Sequence, residues 1–163
     1  MRSLPACLSL ALLAQCGPEA PSGPASLVPL NYATNYVEVR RCRSTIEHQP
    51  NPSGDVVRNI RVWVSPGAAQ AYINNAATLP AGAVVIKEEY GASCNAADLL
   101  AWTVMRKEAG YDPPRGDWHW QRVRARTNAV LEDGRVQRCI SCHDTTACRA
   151  RDWQCTDRQM GDP

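Results

Sequence analysis

Apolar and polar side chains alternate along several short stretches of the chain. Within residues 59–64 the apolar residues Ile60, Val62 and Val64 fall at every second position, which is the period of a strand that buries one face. Similar strand-like runs occupy residues 36–40, 83–90 and 117–126. Residues 98–107 fit a helix or a strand equally well, because a short apolar run does not reveal its period.

Helix-forming composition is confined to residues 68–77. Ser65 and Pro66 precede this stretch and suit the N-cap and first position of a helix. Turn-forming residues recur at 112–116 and at Glu132-Asp133-Gly134, and the second set is typical of a hairpin turn. The pattern therefore predicts a mainly β (α+β) fold, a small antiparallel β-sheet domain with one or two helices and a cysteine-rich C-terminal segment.

The N-terminal stretch has a different pattern. One early positive charge precedes an apolar run from residue 6 to 14, which is too short to span a bilayer and is typical of a secretory signal peptide. We therefore expect a signal peptide over residues 1–16. A flexible linker is expected over 17–34, because its first part is rich in Pro, Gly, Ser and Ala.

The end of this leader also resembles a lipoprotein signal. In Leu13-Ala14-Gln15-Cys16 the cysteine would become the lipidated N-terminus, although Gln15 departs from the usual small residue. Cys16 is therefore a candidate membrane lipid anchor. The expected location is the periplasm, either soluble or as a membrane-anchored lipoprotein facing an oxidising compartment.

Composition and charge limit the class of partner. The 163 residues suit one domain, with 21% charged and 44% hydrophobic residues as in ordinary globular proteins. The formal net charge is +2. This is far from the basic excess that phosphate-backbone binding needs, so we expect no nucleic-acid partner.

The strongest chemical signal is Cys139-Ile140-Ser141-Cys142-His143, which has the attachment spacing of a c-type haem. Cys139 and Cys142 would each add to a haem vinyl group, giving one covalently bound haem c. His143 would then be the axial ligand of the iron, because neutral imidazole is a good donor. Three alternatives compete: a plain Cys139–Cys142 disulfide, a thioredoxin-like redox pair, or a four-thiolate zinc site with Cys148 and Cys155.

The remaining cysteines outside the leader form an even set. Cys42, Cys94, Cys148 and Cys155 are expected to form two disulfides in an oxidising compartment. Four cysteines allow three pairings, and the sequence leaves all three open.

With these residues in view, the chain resembles the cytochrome P460 family, which includes the β-sheet type of cytochrome c′. The resemblance covers roughly residues 56–145, with the blocks in the family's order. The blocks are Val62-Trp63-Val64-Ser65-Pro66 through Ala71-Tyr72, Leu79-Pro80-Ala81-Gly82-Ala83-Val84-Val85-Ile86-Lys87-Glu88, Val104-Met105-Arg106-Lys107, Gly116-Asp117-Trp118, and the closing Cys-x-x-Cys-His. Residues 35–163 would then form a cytochrome P460-like haem domain.

This resemblance implies a five-coordinate haem on a histidine ligand. Its open face would bind nitric oxide or a related nitrogen oxide or, in some members, oxidise hydroxylamine. In P460 members a lysine of the second block is covalently joined to the haem edge, and Lys87 matches that position. Lys87 is therefore a candidate for such a crosslink.

The resemblance also indicates the distal position. Hydroxylamine-oxidising members carry a carboxylate there, and counting back from Lys107 puts that position near Thr103. A hydroxyl has no usable pKa for general-base catalysis near neutral pH, whereas binding nitric oxide needs no base. The sequence thus favours binding with, at most, weak hydroxylamine oxidation, and Glu88 or Glu108 would be the base if turnover were brisk.

A second class of function depends on the sixth ligand of the iron. If a side chain filled that position, the protein would be a six-coordinate electron-transfer cytochrome c. The candidate ligands are His48, Met105, His119 and Met160. His119 is expected to face away from its neighbours Trp118 and Trp120, because successive strand residues point to opposite faces. The redox partner is unknown in either case.

Overall fold

The computed structural model describes residues 23–45 and 54–155. Six strands form one antiparallel sheet in the order β1-β2-β3-β4-β5-β6, so every strand pairs with its neighbours along the chain. The strands are β1 (Val37–Ser44), β2 (Asn59–Val64), β3 (Val84–Tyr90), β4 (Leu99–Lys107), β5 (Trp118–Arg124) and β6 (Val130–Gly134). The predicted mainly β fold is confirmed, and the ambiguous run 98–107 forms a strand.

Four short helices accompany the sheet in the described ranges. They are α1 (Tyr32–Asn35), α2 (Pro66–Ile73), α3 (Gln137–His143) and α4 (Thr146–Arg149). Ser65 and Pro66 occupy the predicted N-cap and first position of α2, but the Ser65 hydroxyl accepts a hydrogen bond from the Val84 amide instead of capping the helix. The helix ends earlier than the predicted residue 77, and Asn75 then adopts a left-handed φ of 52°.

Strand β3 is buried on both faces, which explains its nearly continuous apolar run. Val85, Lys87 and Glu89 face a cavity on one side of the sheet. On the other side, Val84 and Ile86 pack in a second core cluster with Tyr32. The two faces follow the two-residue period of the strand.

The hairpin turn predicted at Glu132-Asp133-Gly134 is wrong. These residues belong to β6, where Asp133 pairs with Gln121 of β5 and accepts a hydrogen bond from its side-chain amide. The chain turns earlier, between β5 and β6, where Asn128 takes a left-handed φ of 54°. Cross-strand hydrogen bonding to Asp133 therefore overrides the local turn preference.

Residues 25–32 of the predicted linker contact the sheet. The Leu27 amide donates to the Gln121 side chain at 2.6 Å, and that side chain donates back to the Ala25 carbonyl at 3.0 Å. Tyr32, 8% exposed, packs under the sheet. The expected signal peptide 1–16 and Cys16 lie outside the described residues, and no helix in the described ranges is long and apolar enough to cross a membrane.

Replacing Tyr32 with Phe should lower the free energy of unfolding by about 1–3 kcal/mol, because the buried Glu88 and the half-buried Trp102 each lose a hydrogen bond. The Tyr32 hydroxyl donates to the buried Glu88 carboxylate at 2.5 Å and accepts from the Trp102 indole at 2.8 Å. Urea denaturation of the two proteins measures the difference. Tyr36→Phe is the matched control, since the Tyr36 hydroxyl has no hydrogen-bond partner within the described ranges. Equal losses in both variants would contradict this account.

Candidate haem-binding site

A cavity of about 440 Å³ lies between the sheet and the C-terminal segment. This volume is in the usual range for small-molecule and cofactor sites. The residues predicted for haem attachment, iron ligation, the crosslink and the distal position all line it: Cys139, Cys142, His143, Lys87 and Thr103. They come from β3, β4 and α3, so the sheet and the cysteine-rich segment form the site together.

Helix α3 presents the Cys-x-x-Cys-His segment to the cavity. Cys139 and Cys142 are three residues apart on the helix and thus lie on the same side of it. Both are free thiols, and burial raises the pKa of Cys139 to about 11. Two unoxidised thiols therefore line the cavity side by side.

His143 is oriented by a backbone carbonyl. Its Nδ1 lies 2.5 Å from the Trp153 carbonyl oxygen, and because a carbonyl only accepts, Nδ1 carries the hydrogen and donates it. The ring also packs edge-on against Trp120, with centroids 4.8 Å apart. Burial lowers the pKa of His143 to about 4, so the imidazole is neutral at neutral pH. The lone pair of Nε2 is then available to a metal ion, in the arrangement typical of metal-ligating histidines.

Strand register brings polar residues together at one end of the cavity. Lys87 of β3 pairs with Thr103 of β4, which pairs in turn with Arg122 of β5. Directly paired residues of antiparallel strands share one face, so Lys87 and Thr103 are neighbours. Burial also lowers the pKa of Lys87, which favours its neutral amine.

Glu89 is the cavity-lining carboxylate that sequence reasoning missed. It is 2% exposed and accepts hydrogen bonds from Arg122 Nε at 3.2 Å and Nη2 at 3.1 Å. Arg122 also contacts Asp55 at 3.3 Å, so a buried ion-pair network runs from the cavity to a half-buried carboxylate. The two-residue period of β3 could have revealed Glu89, because it requires Lys87 and Glu89 to share a face.

The two alternative bases suggested by the sequence lie elsewhere. Glu88 is on the opposite face of β3, where Tyr32 and Tyr90 donate to its carboxylate. Glu108 contacts Arg106 and the His119 ring. Neither lines the cavity, so both suggestions are wrong.

The alternative axial ligands are separated by the fold. His119 faces away from the cavity, as expected, and contacts Glu108 and Asp133 while stacking on Tyr111. Met105 does line the cavity. His48 and Met160 lie outside the described residues.

The disulfides exclude the four-thiolate zinc site. Cys42 pairs with Cys94, and Cys148 pairs with Cys155, which resolves the three pairings that the sequence left open. Two of the four thiolates needed for zinc are thus bonded to each other. No cluster of three metal-binding side chains occurs in the described part of the chain. Cys139 and Cys142 are not joined either, so the plain disulfide between them is not formed.

Two buried hydrogen-bond donors in the cavity indicate the chemistry of the group that it would hold. Trp120 Nε1 and Gln154 Nε2 line it and have no hydrogen-bond partner within the described ranges, although their side chains are 2% and 4% exposed. Buried donors without partners are costly, so an acceptor is expected there. A haem combines an apolar ring with carboxylate substituents and fits both the donors and the apolar walls.

Comparison with known proteins identifies the family. None of the curated proteins compared with the chain matches it. The family model described as Cytochrome P460 matches residues 33–155, which is most of the chain and includes every cavity-lining residue named above. The chain therefore belongs to the cytochrome P460 family and is a c-type cytochrome that binds haem.

Proposed function

We propose that this cytochrome is exported, carries one haem attached to Cys139 and Cys142 with His143 as axial ligand, and binds nitric oxide or a related nitrogen oxide. The observation that carries the proposal is the orientation of His143 by the Trp153 carbonyl, in a cavity lined by two free thiols. The disulfides Cys42–Cys94 and Cys148–Cys155 support export, because such bonds persist in oxidising compartments. A lipid anchor at Cys16 remains part of the proposal.

The lining of the cavity supports a small, neutral ligand. A haem held by Cys139, Cys142 and His143 would supply an iron ion that can bind a small ligand. Val62, Val85 and Met105 give the cavity an apolar wall that suits a diatomic molecule better than a charged one. Thr103 is too weak a base to take a proton from hydroxylamine, so oxidation of that substrate would be weak.

The alternative function is a six-coordinate electron-transfer cytochrome. Met105 is the specific observation in its favour, since it lines the cavity and a thioether can ligate haem iron. A ferrous optical spectrum that nitric oxide does not change would favour this alternative.

Covalent haem attachment is expected to add the mass of one haem to the mature polypeptide when the protein is made with a c-type maturation system. Cys142→Ala should lose most of this gain, because one of the two thioether bonds cannot form. Intact mass spectrometry measures both, and the same spectrum gives the mature N-terminus. Ser141→Ala is the matched control within α3 and should retain the haem. Stoichiometric zinc without haem would contradict the assignment.

The unchanged ferrous protein should take up nitric oxide readily, while its hydroxylamine oxidation should be weak or absent. Thr103→Glu should raise that oxidation by up to ~10²–10⁴-fold, the usual contribution of a general base. Thr103→Gln is the control, because it has the size of Glu without the basic oxygen. Optical titration and steady-state turnover with an artificial electron acceptor are the measurements.

Brisk hydroxylamine oxidation by the unchanged protein would instead point to another base. Glu89→Gln would then test the carboxylate that lines the cavity. Loss of turnover in that variant, with nitric oxide uptake retained, would assign the role to Glu89.

Lys87 is proposed to be joined to the haem edge. Burial favours its neutral amine, which is the nucleophilic form. Joining the amine to a ring carbon releases two protons and two electrons, so maturation also needs a two-electron oxidant such as a peroxide. After proteolysis, the peptide containing Lys87 should travel with the haem peptide in mass spectrometry. Lys87→Leu should abolish this and change the optical spectrum, whereas an unchanged spectrum would show that no crosslink exists.

A further inference from the structure

The carbonyl that orients His143 belongs to an unusual backbone segment. Asp152 and Trp153 are consecutive non-glycine residues with left-handed φ values of 54° and 67°. This conformation is unfavourable for residues with a Cβ, so surrounding contacts must maintain it. The contacts around Asp152 and Trp153 thus decide where the Trp153 carbonyl lies.

The strongest of these contacts is an ion pair with the end of β4. Lys107 Nζ lies 2.8 Å and 2.7 Å from the two Asp152 carboxylate oxygens, and the two side chains are 10% and 5% exposed. Lys107 also donates to the Gly116 carbonyl at 2.8 Å. The ammonium group therefore joins the C-terminal segment to the sheet in a buried setting.

Neighbouring groups complete this attachment. The Leu79 amide donates to the Asp152 carboxylate at 2.7 Å, and the Trp118 indole donates to the Asp152 carbonyl at 2.9 Å. Gly116 leaves space for the Trp153 ring, since a Cβ at Gly116 would lie 2.9 Å from Trp153 Cδ1. Asp152 is thus fixed on both its side chain and its backbone.

We propose that the Lys107–Asp152 ion pair is a positioning device that sets the strength of the hydrogen bond from His143 to Trp153, and through it the electron donation of His143 to the haem iron. This inference rests on the proposed role of His143 as axial ligand. Neither Lys107 nor Asp152 lines the cavity, so both act through Trp153.

The direction of the effect follows from the hydrogen bond. A well-placed acceptor at Nδ1 makes the imidazole a more basic ligand. Without the ion pair, the Trp153 carbonyl is held less firmly. Its hydrogen bond with Nδ1 then weakens, and the imidazole becomes a less basic ligand. The iron–histidine stretching frequency should then fall, and the reduction potential should rise, because a weaker donor stabilises the ferric state less.

Asp152→Asn is the first test, because Asn tolerates the left-handed backbone and still offers an oxygen to the Leu79 amide. Lys107→Met removes the charge from the other side. Resonance Raman spectra of the ferrous haem-loaded protein give the stretching frequency, and a redox titration gives the potential. Both variants should shift both quantities in the stated directions, and the double variant should shift them no further than the larger single shift.

Two controls separate positioning from stability. Arg106 is the cation next to Lys107 in the sequence, and it pairs with Glu108 away from the cavity. Arg106→Gln should therefore leave the stretching frequency and the potential unchanged. Lys107→Arg keeps the positive charge, so its stretching frequency and potential should stay close to those of the unchanged protein. If the frequency and the potential do not shift in haem-loaded Asp152→Asn, the proposal is overturned. If Lys107→Met does not fold, the result for Asp152→Asn is sufficient.

The wild-type protein distinguishes failure of this inference from failure of the proposed function. If unchanged protein shows no iron–histidine band, the five-coordinate site is contradicted, and the potentials of the variants still test the ion pair. If the band is present but does not move in Asp152→Asn, only the positioning role is overturned.

Discussion

The buried ion pair between Lys107 and Asp152 joins the two parts of the molecule that form the cavity. Residues 135–155, the described part of the chain after β6, contribute no strand to the sheet, so side-chain and backbone contacts must hold them in place. Left-handed backbone at Asp152 and Trp153 costs roughly 1–3 kcal/mol per residue, and breaking one side of a buried ion pair costs about 3–5 kcal/mol. Loss of either partner would leave an unpaired buried charge, at a cost comparable to the backbone strain, so Lys107 and Asp152 are needed together to hold the segment that carries the Trp153 carbonyl. The site thus depends on a contact that lies outside the cavity.

The sheet separates two different environments. One face carries the cavity, and the other is covered by residues 25–36, whose Tyr32 packs against Trp63 and Trp102. On this second face the Glu88 carboxylate accepts hydrogen bonds from two tyrosines, which satisfies a charge that the apolar surroundings would otherwise disfavour. Strand β3 is buried on both faces and pairs with β2 and β4 along its length. This pairing sets where Lys87 and Glu89 enter the cavity.

Local pattern was sufficient to predict the strands that alternate and the helix that follows Ser65-Pro66, because those signals lie within a few residues. It failed at Glu132-Asp133-Gly134, where hydrogen bonds from β5 override the turn preference. The resemblance to the family assigned Lys87 and Thr103 separate roles at the haem, and only the strand register shows that they are paired. The Trp153 carbonyl and the Lys107–Asp152 pair could not be predicted, since they join residues 10 and 45 positions apart and a backbone atom has no sequence signature.

The polar end of the cavity contains Thr103 and Glu89, the two side chains considered as general bases for hydroxylamine oxidation. A general base needs an acceptor atom that faces the substrate and is not already used by the protein. Thr103 offers only a hydroxyl, and one oxygen of Glu89 already accepts two hydrogen bonds from Arg122. Arg122 is 1% exposed and also contacts Asp55, so the network is buried and cannot rotate away at little cost. The Glu89 oxygen that accepts from Arg122 could take a proton from hydroxylamine only by giving up those hydrogen bonds, whereas the proposed binding of nitric oxide needs no proton acceptor. The arrangement of charges at this end of the cavity is thus compatible with the proposed binding of nitric oxide.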